Sequence, residues 1–181
     1  EAITIRAQIT SDDNLDDTEA IQSAIDANDI VFLPAGSYNL SDPLKLKNNS
    51  VIFGDPGKRS RLIPGGSPDS NTYVVVTPDI EGYVAIQDLA FDTPNKDHFG
   101  AIQWQTSDGF ILNVRNYLGS GSFDPNRHNY EFRSNAGGKF YGIADHSQIL
   151  RGEFPHPEFR KIYIKGTTNP ITFYGLNLER G

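Results

Sequence analysis

The 181-residue sequence contains no cysteine, which removes both a disulfide framework and a zinc–thiolate site. It is also short of positive charge: 16 Lys and Arg stand against 23 Asp and Glu, a formal charge of −7. Nucleic acid and anionic membranes both demand a basic face, so neither is the expected partner, and a neutral ligand fits better than a polyanion. No apolar run reaches the length of a transmembrane helix, and the opening EAITIRAQIT is not a signal peptide. Because the chain begins without Met, a leader or upstream segment is expected to have been removed. No Gly-x-Ser-x-Gly elbow is present, and the Gly-rich stretches 54–58 and 134–139 lack Walker spacing, so both read as turns. No Asn-Gly or Asp-Gly two-residue hairpin signal is present except Asp108-Gly109.

What is present is turn chemistry and short apolar runs: 17 Gly, 11 Pro, 8 Tyr and 11 Phe in a length that suits one domain, 1–181. The organising stretch is Leu15 to Asp55. Ala20, Ile21, Ala24 and Ile25 recur at helical spacing; Asp16 to Glu19 has the Asp-x-x-Glu form of a helix start, Asp17 or Thr18 could equally be the cap, and the end falls near Ala27–Asn28. So short a helix needs docking, and covering the open edge of a β stack is its economical place. Apolar runs follow at Ile30–Leu33, Tyr38–Leu40, Leu44–Leu46 and Val51–Phe53, separated by Pro-Ala-Gly, Ser-Asp-Pro and Lys-Asn-Asn-Ser turns. Further runs continue to Glu179. Val31, Val51 and Val74 recur at intervals near those of Ile86 and Ile111, which suits stacked coils of a solenoid; a sandwich with hairpins is the competing reading. The expected fold is all-β: a right-handed parallel β-helix, with strand and capping helix in 1–28 and coils over 29–181. Two long segments, Gly119–Asn129 and Ala144–Arg160, are the expected binding excursions.

The run D-D-T-E-A-I-Q-S-A-I-D-A, then V-F-L-P-A-G-S-Y, then P-L-K-L-K-N-N-S-V-I-F-G-D resembles the opening of the pectate-lyase-like right-handed β-helix superfamily. Residues 99–116, F-G-A-I-Q-W-Q-T-S-D-G-F-I-L-N-V-R-N, are similar to proteins related to glycoside hydrolase family 55, the exo-β-1,3-glucanases. The ending I-T-F-Y-G-L-N-L-E-R-G resembles a coil of the same group. The resemblance implies a secreted or cell-surface carbohydrate-active protein but hands over no catalytic residue. Family 55 enzymes are several times longer, and neither the calcium-binding cluster nor the proton-abstracting base of pectate lyases has a matching motif here. A parallel solenoid needs its ends covered, and Leu176–Gly181 follow a β run directly. A fragment of a longer chain is therefore expected, its remainder or another subunit covering that edge.

Sugar polymers are bound by aromatic faces with carboxylates and amides, and hydrolysed by paired carboxylates. Asp124 and Glu131 lie among Arg127, His128 and Arg133, the densest mix of acid, base and aromatic, and Glu179 shares a strand face with Asn177. These three carboxylates are the catalytic candidates; solvated ion pairs are the plainer reading for the first two. The candidate substrate-binding residues are Trp104, Tyr117, Arg127, His128, Tyr130 and Arg133. Trp104 alternates with Ile102, so it is either core or a sugar-stacking platform. Asp145, His146, His156 and Glu158 match no compact ligand motif, and Asp12, Asp13 and Asp16 are explained as helix-start acids. No metal and no cofactor is expected.

The expected partner is a polysaccharide, and the leading activity is hydrolysis of a β-1,3-linked glucan, with lyase chemistry behind it. A non-catalytic carbohydrate-binding module is the near-equal alternative, and a trimeric surface fibre the distant one.

Overall fold

The computed structural model describes residues 3–4, 11–57, 60–65, 73–92, 100–117, 128–145 and 161–178. Strand β1 (Ile3–Thr4) and helix α1 (Thr18–Ala27) precede a set of coils. Each coil adds one strand to each of three sheets. The first holds β2 (Ile30–Leu33), β3 (Gly36–Leu40) and β4 (Leu44–Lys45). Next come β5 (Ser50–Gly54), β6 (Ser60–Pro64) and β7 (Tyr73–Val76), then β8 (Tyr83–Gln87), β9 (Leu89–Asp92) and β10 (Gly100–Trp104). They are followed by β11 (Asp108–Leu112), β12 (Arg115–Tyr117) and β13 (Tyr130–Arg133), and by β14 (Gly138–Tyr141), β15 (Ala144–Asp145) and β16 (Ile162–Lys165). Strands β17 (Ile171–Tyr174) and β18 (Asn177–Leu178) close the described chain. The first sheet orders β1-β2-β5-β8-β11-β14-β17, the second β18-β15-β12-β9-β6-β3 and the third β16-β13-β10-β7-β4. Every pairing in these three ladders is parallel. This is a parallel β-helix with one short helix.

The corner between first and second sheets repeats a left-handed residue: Asp88, Asn113, Gly142 and Gly175 have φ of 54°, 52°, 60° and 64°. Asp, Asn and Gly tolerate that conformation best, which lets the chain turn sharply without a loop. Asn113 Nδ2 donates to Asp88 Oδ1 at 2.6 Å, tying two such corners together.

Alternate residues of each strand point inward and stack in columns. Val31 pairs with Ile52, Ile52 with Ile86, Ile86 with Ile111, Ile111 with Phe140 and Phe140 with Phe173. The sequence interval of Ile86 and Ile111 is therefore a true coil repeat. The valine series is not: Val51 pairs with Ile30 and lies half-buried on the outer face, while Val74 belongs to the third sheet. Coils differ in length because their loops do, so equal spacing between like residues is no guarantee of register.

The helix closes the head of this stack. Ile21 and Ile25 are buried in the common core. Gln22 behaves as a strand edge, its Nε2 donating to the Lys45 carbonyl and its Oε1 accepting from Lys45 N–H, both at 2.9 Å. On the second sheet Asp17 N–H donates to the Asn39 carbonyl at 2.8 Å, and Asn39 N–H donates back to Asp17 Oδ2 at 2.9 Å. Both edge strands thus have their hydrogen-bonding groups occupied. Asp17 occupies the N-cap position but makes no side-chain cap, because its carboxylate is spent on this edge.

At the far end, the last described coil leaves Ile164, Tyr174, Leu176 and Leu178 exposed.

Candidate active site on the third sheet

Trp104 is fully buried, its ring edge-on to Phe140 with centroids 5.2 Å apart. Its Nε1 donates to the carbonyls of Thr106 and Gly137, both at 2.9 Å. The sugar-platform reading of Trp104 is therefore corrected: strand alternation turns it inward with Ile102, and its one polar atom is consumed by backbone. Tyr130 is corrected in the same way. It pairs with Ile102 on the inward face and is fully buried, so it presents no surface to a ligand. Burial, then the Asp145 charge, pushes its hydroxyl well above the ordinary phenol range.

Tyr117 is half-buried at the end of β12 in the second sheet, paired with Asp92, and so stands on a different sheet from Glu131. Asp124, Arg127 and Glu179 lie outside the described residues. Asp145, expected in a loop, sits in β15 and is fully buried. Its Oδ2 accepts from Asn116 Nδ2 at 3.1 Å and Asn129 Nδ2 at 2.7 Å, and Lys161 Nζ meets Oδ1 at 3.0 Å. That carboxylate is a structural anion.

What the structure does bring together is Glu131, Arg133 and His128. Glu131 has the outward parity of β13, opposite to Tyr130 and Phe132. In the ladder it stands between Gln103 and Tyr163. Gln103 Nε2 donates to Glu131 Oε2 at 3.0 Å, and Arg133 approaches Glu131 Oε1 at 3.6 Å. Arg133 Nε also donates to Gln105 Oε1 at 3.2 Å, while Gln105 Nε2 donates to the Thr77 carbonyl at 3.1 Å. The His128 and Tyr163 rings lie 4.1 Å apart, tilted by 35°. The result is one nearly buried carboxylate, 9 % exposed, held by an amide and a guanidinium beside an aromatic pair. Among the described strands of this sheet it is the only carboxylate.

Tyr73 completes the group. Its ring lies over Gly100, where an added Cβ would come within 2.3 Å of Tyr73 Cδ1 and Cε1. Only a residue without a side chain allows that crossing. The Tyr73 hydroxyl is buried and has Glu131 as its neighbouring charge. Burial first, and the Glu131 charge second, drive its proton affinity far up.

Gln103, Tyr73 and Tyr163 were not singled out from sequence. Gln103 was legible from the strand Ala101-Ile102-Gln103-Trp104, because whatever alternates with a buried Ile and Trp faces outward. Tyr73 and Tyr163 needed the cross-strand register, which sequence spacing did not supply.

Chemically, a carboxylate beside amide, guanidinium and aromatic groups suits a sugar hydroxyl or glycosidic oxygen. Among the described residues no three His, Cys, Asp or Glu converge as a metal site.

A family model described as rhamnogalacturonase A/epimerase, pectate lyase-like, matches residues 7–147, more than three quarters of the chain. No curated protein matches the chain at a significant level.

Proposed function

Since the chain belongs to the rhamnogalacturonase A/epimerase, pectate-lyase-like family and is thereby a polysaccharide-acting, carbohydrate-active β-helix protein, we propose that it hydrolyses a glycosidic bond at Glu131. The observation that carries this reading is the outward Glu131 carboxylate, bracketed by Gln103 at 3.0 Å and Arg133 at 3.6 Å. In this reading Glu131 gives its proton to the departing sugar oxygen as the glycosidic C–O bond breaks. Water adds its hydroxyl to the anomeric carbon, and its remaining proton goes to a second carboxylate, for which Asp124 is the first choice. Arg127, like Asp124, is assigned to this site on sequence proximity.

The leading substrate is a β-1,3-linked glucan, favoured by the resemblance of residues 99–116 and by a formal charge of −7, which suits a neutral polymer. A rhamnogalacturonan backbone is the second substrate to test, because the family description names it. Action on such polymers goes with secretion or display at the cell surface.

A second reading, a non-catalytic carbohydrate-binding module, is favoured by the single carboxylate among the described strands of the third sheet, where hydrolysis uses two. One experiment separates the readings. The chain is incubated with laminarin, curdlan, rhamnogalacturonan, polygalacturonate, alginate and xylan, with pull-down and reducing-sugar release measured together. Release of reducing ends supports hydrolysis, binding without release supports the module, and an unsaturated product absorbing in the ultraviolet marks a lyase. No binding and no release across the set would contradict both.

A further inference from the structure

The corner where the third sheet turns into the first holds a cleft of about 440 Å³ that the Glu131 site does not use. Four successive coils build it: Glu81 before β8, Ser107 and Asp108 at the start of β11, Lys139 in β14, and Asn169 and Thr172 around the start of β17. With strands about 4.8 Å apart, four coils make a trough roughly 14 Å long, parallel to the axis of the stack. Gly109 and Gly138 keep this corner free of side chains. Their φ of 131° and 117° favour glycine, and an added Cβ at either would collide with the backbone of the preceding coil. The polar groups of the cleft are largely unspent. Among the described residues the Glu81 and Lys139 side chains make no hydrogen bond or ion pair. Asp108 Oδ1 accepts only from the neighbouring Gly109 N–H at 2.7 Å, and Asn169 Nδ2 donates to the Asn135 carbonyl at 2.6 Å. Rings stand beside this polar wall. Tyr83, 37 % exposed, pairs with Asp108 in the ladder, and Phe110, paired with Lys139, meets Tyr83 edge-on with centroids 6.4 Å apart.

We infer that this cleft is a second glycan-binding site, which takes a stretch of neutral polysaccharide apart from Glu131. The inference rests on the neutral-glycan reading and holds whether or not the chain hydrolyses its ligand. Clefts of about 300–1,000 Å³ hold organic ligands, whereas a water takes about 30 Å³, so the volume is that of sugar units rather than of an ion. A metal is disfavoured as well, because no three His, Cys, Asp or Glu converge among the described residues. Two carboxylates against one ammonium repel an anionic polymer and leave neutral hydroxyls as the matching partner. Carboxylate, hydroxyl and amide oxygens accept from sugar O–H groups, the ammonium donates to sugar oxygens, and the Tyr83 ring offers apolar surface to the C–H side of a pyranose. A peptide binds a sheet by adding a strand, but β8, β11 and β14 are each paired on both sides. Only the turn 134–137 separates β13, which carries Glu131, from β14, which carries Lys139. A polymer held in the cleft therefore stays close to the Glu131 face, and its effective concentration there rises.

The test is a titration of the isotopically labelled chain with laminarihexaose, xylohexaose and hexagalacturonate, followed by backbone amide NMR shifts. Lys139→Ala, Tyr83→Ala and Glu131→Gln are titrated in parallel, with melting curves on the same samples. A neutral hexasaccharide is expected to shift the amides of Asp108, Lys139 and Thr172 as a group separate from those of Gln103 and Glu131. Lys139→Ala and Tyr83→Ala should each weaken the Kd of the first group roughly tenfold, at unchanged melting temperature for Lys139→Ala. Glu131→Gln should leave the first group at wild-type affinity. Shifts confined to Gln103 and Glu131 would overturn the cleft and leave the neutral-glycan reading intact. Wild-type affinity of the Asp108 group in Lys139→Ala, whose exposed side chain can be removed without loss of packing, would overturn it too. Shifts with hexagalacturonate alone, or with none of the three, would overturn the neutral-glycan reading and the cleft with it.

Discussion

Gln103 and Glu131 stand directly opposite each other on adjacent parallel strands, and the Gln103 amide donates to the Glu131 carboxylate at 3.0 Å. Both are nearly buried, at 6 % and 9 % exposure, although they share the outward face of the sheet. Two side chains brought together by register alone hold the orientation of the one carboxylate on which the proposed chemistry rests. Replacing Gln103 with Ala should therefore lower turnover by about tenfold, the worth of one bond to a charged group. Kinetics of Gln103→Ala on the hydrolysed glycan check this; wild-type turnover would show that the amide does not orient Glu131.

Trp104 makes the opposite kind of contribution. Its burial against Phe140, and its two bonds to backbone carbonyls, assign it to the core. Trp104→Ala should cost about 3–5 kcal/mol of stability. Trp104→Phe should cost about 1–3 kcal/mol, since the Thr106 and Gly137 carbonyls lose their donor. Urea titration of both variants measures this. A sugar platform would instead show native stability with weakened glycan binding.

Asp145 joins three coil elements through Asn116, Asn129 and Lys161. Removing a buried anion strands its cation and its donors. Asp145→Ala should destabilise the chain by about 3–5 kcal/mol, read as a lower denaturation midpoint at unchanged slope.

A pH effect follows from the head of the stack. Bonds from the Thr18 hydroxyl, then the Ser41 hydroxyl, hold the Asp16 carboxyl down at about 2 from the ordinary 3.8. A folded-state value below the unfolded one means the contribution is fully present above about pH 4 and is lost as pH falls through 2. Asp16→Asn should flatten that segment of the stability curve. An unchanged slope between pH 4 and 2 would contradict it.

Much of this architecture was legible in the sequence, and for physical reasons. The stripe Ala20, Ile21, Ala24, Ile25 marked a helix with one face to bury, and Ile21 and Ile25 are the residues buried. The alternation around Trp104 marked its inward direction. The valine recurrence failed because a residue type says nothing about which sheet or face it occupies once loops vary in length. The site was half visible. Glu131 and Arg133 stood out by charge, whereas Tyr73 depends on its passage over Gly100, a contact between strands far apart in sequence. Gln103 alternates with the buried Ile102 and Trp104, so its outward direction was readable from the strand itself.

The most direct measurement is reducing-sugar release from laminarin and rhamnogalacturonan by the wild-type chain and by Glu131→Gln, with melting curves recorded for both. Glutamine keeps the shape of the side chain but has no acidic proton to transfer. The account predicts that release falls by at least about a hundredfold, with the fold retained. Release at the wild-type rate from Glu131→Gln would contradict it and move the chemistry away from the third sheet's outer face.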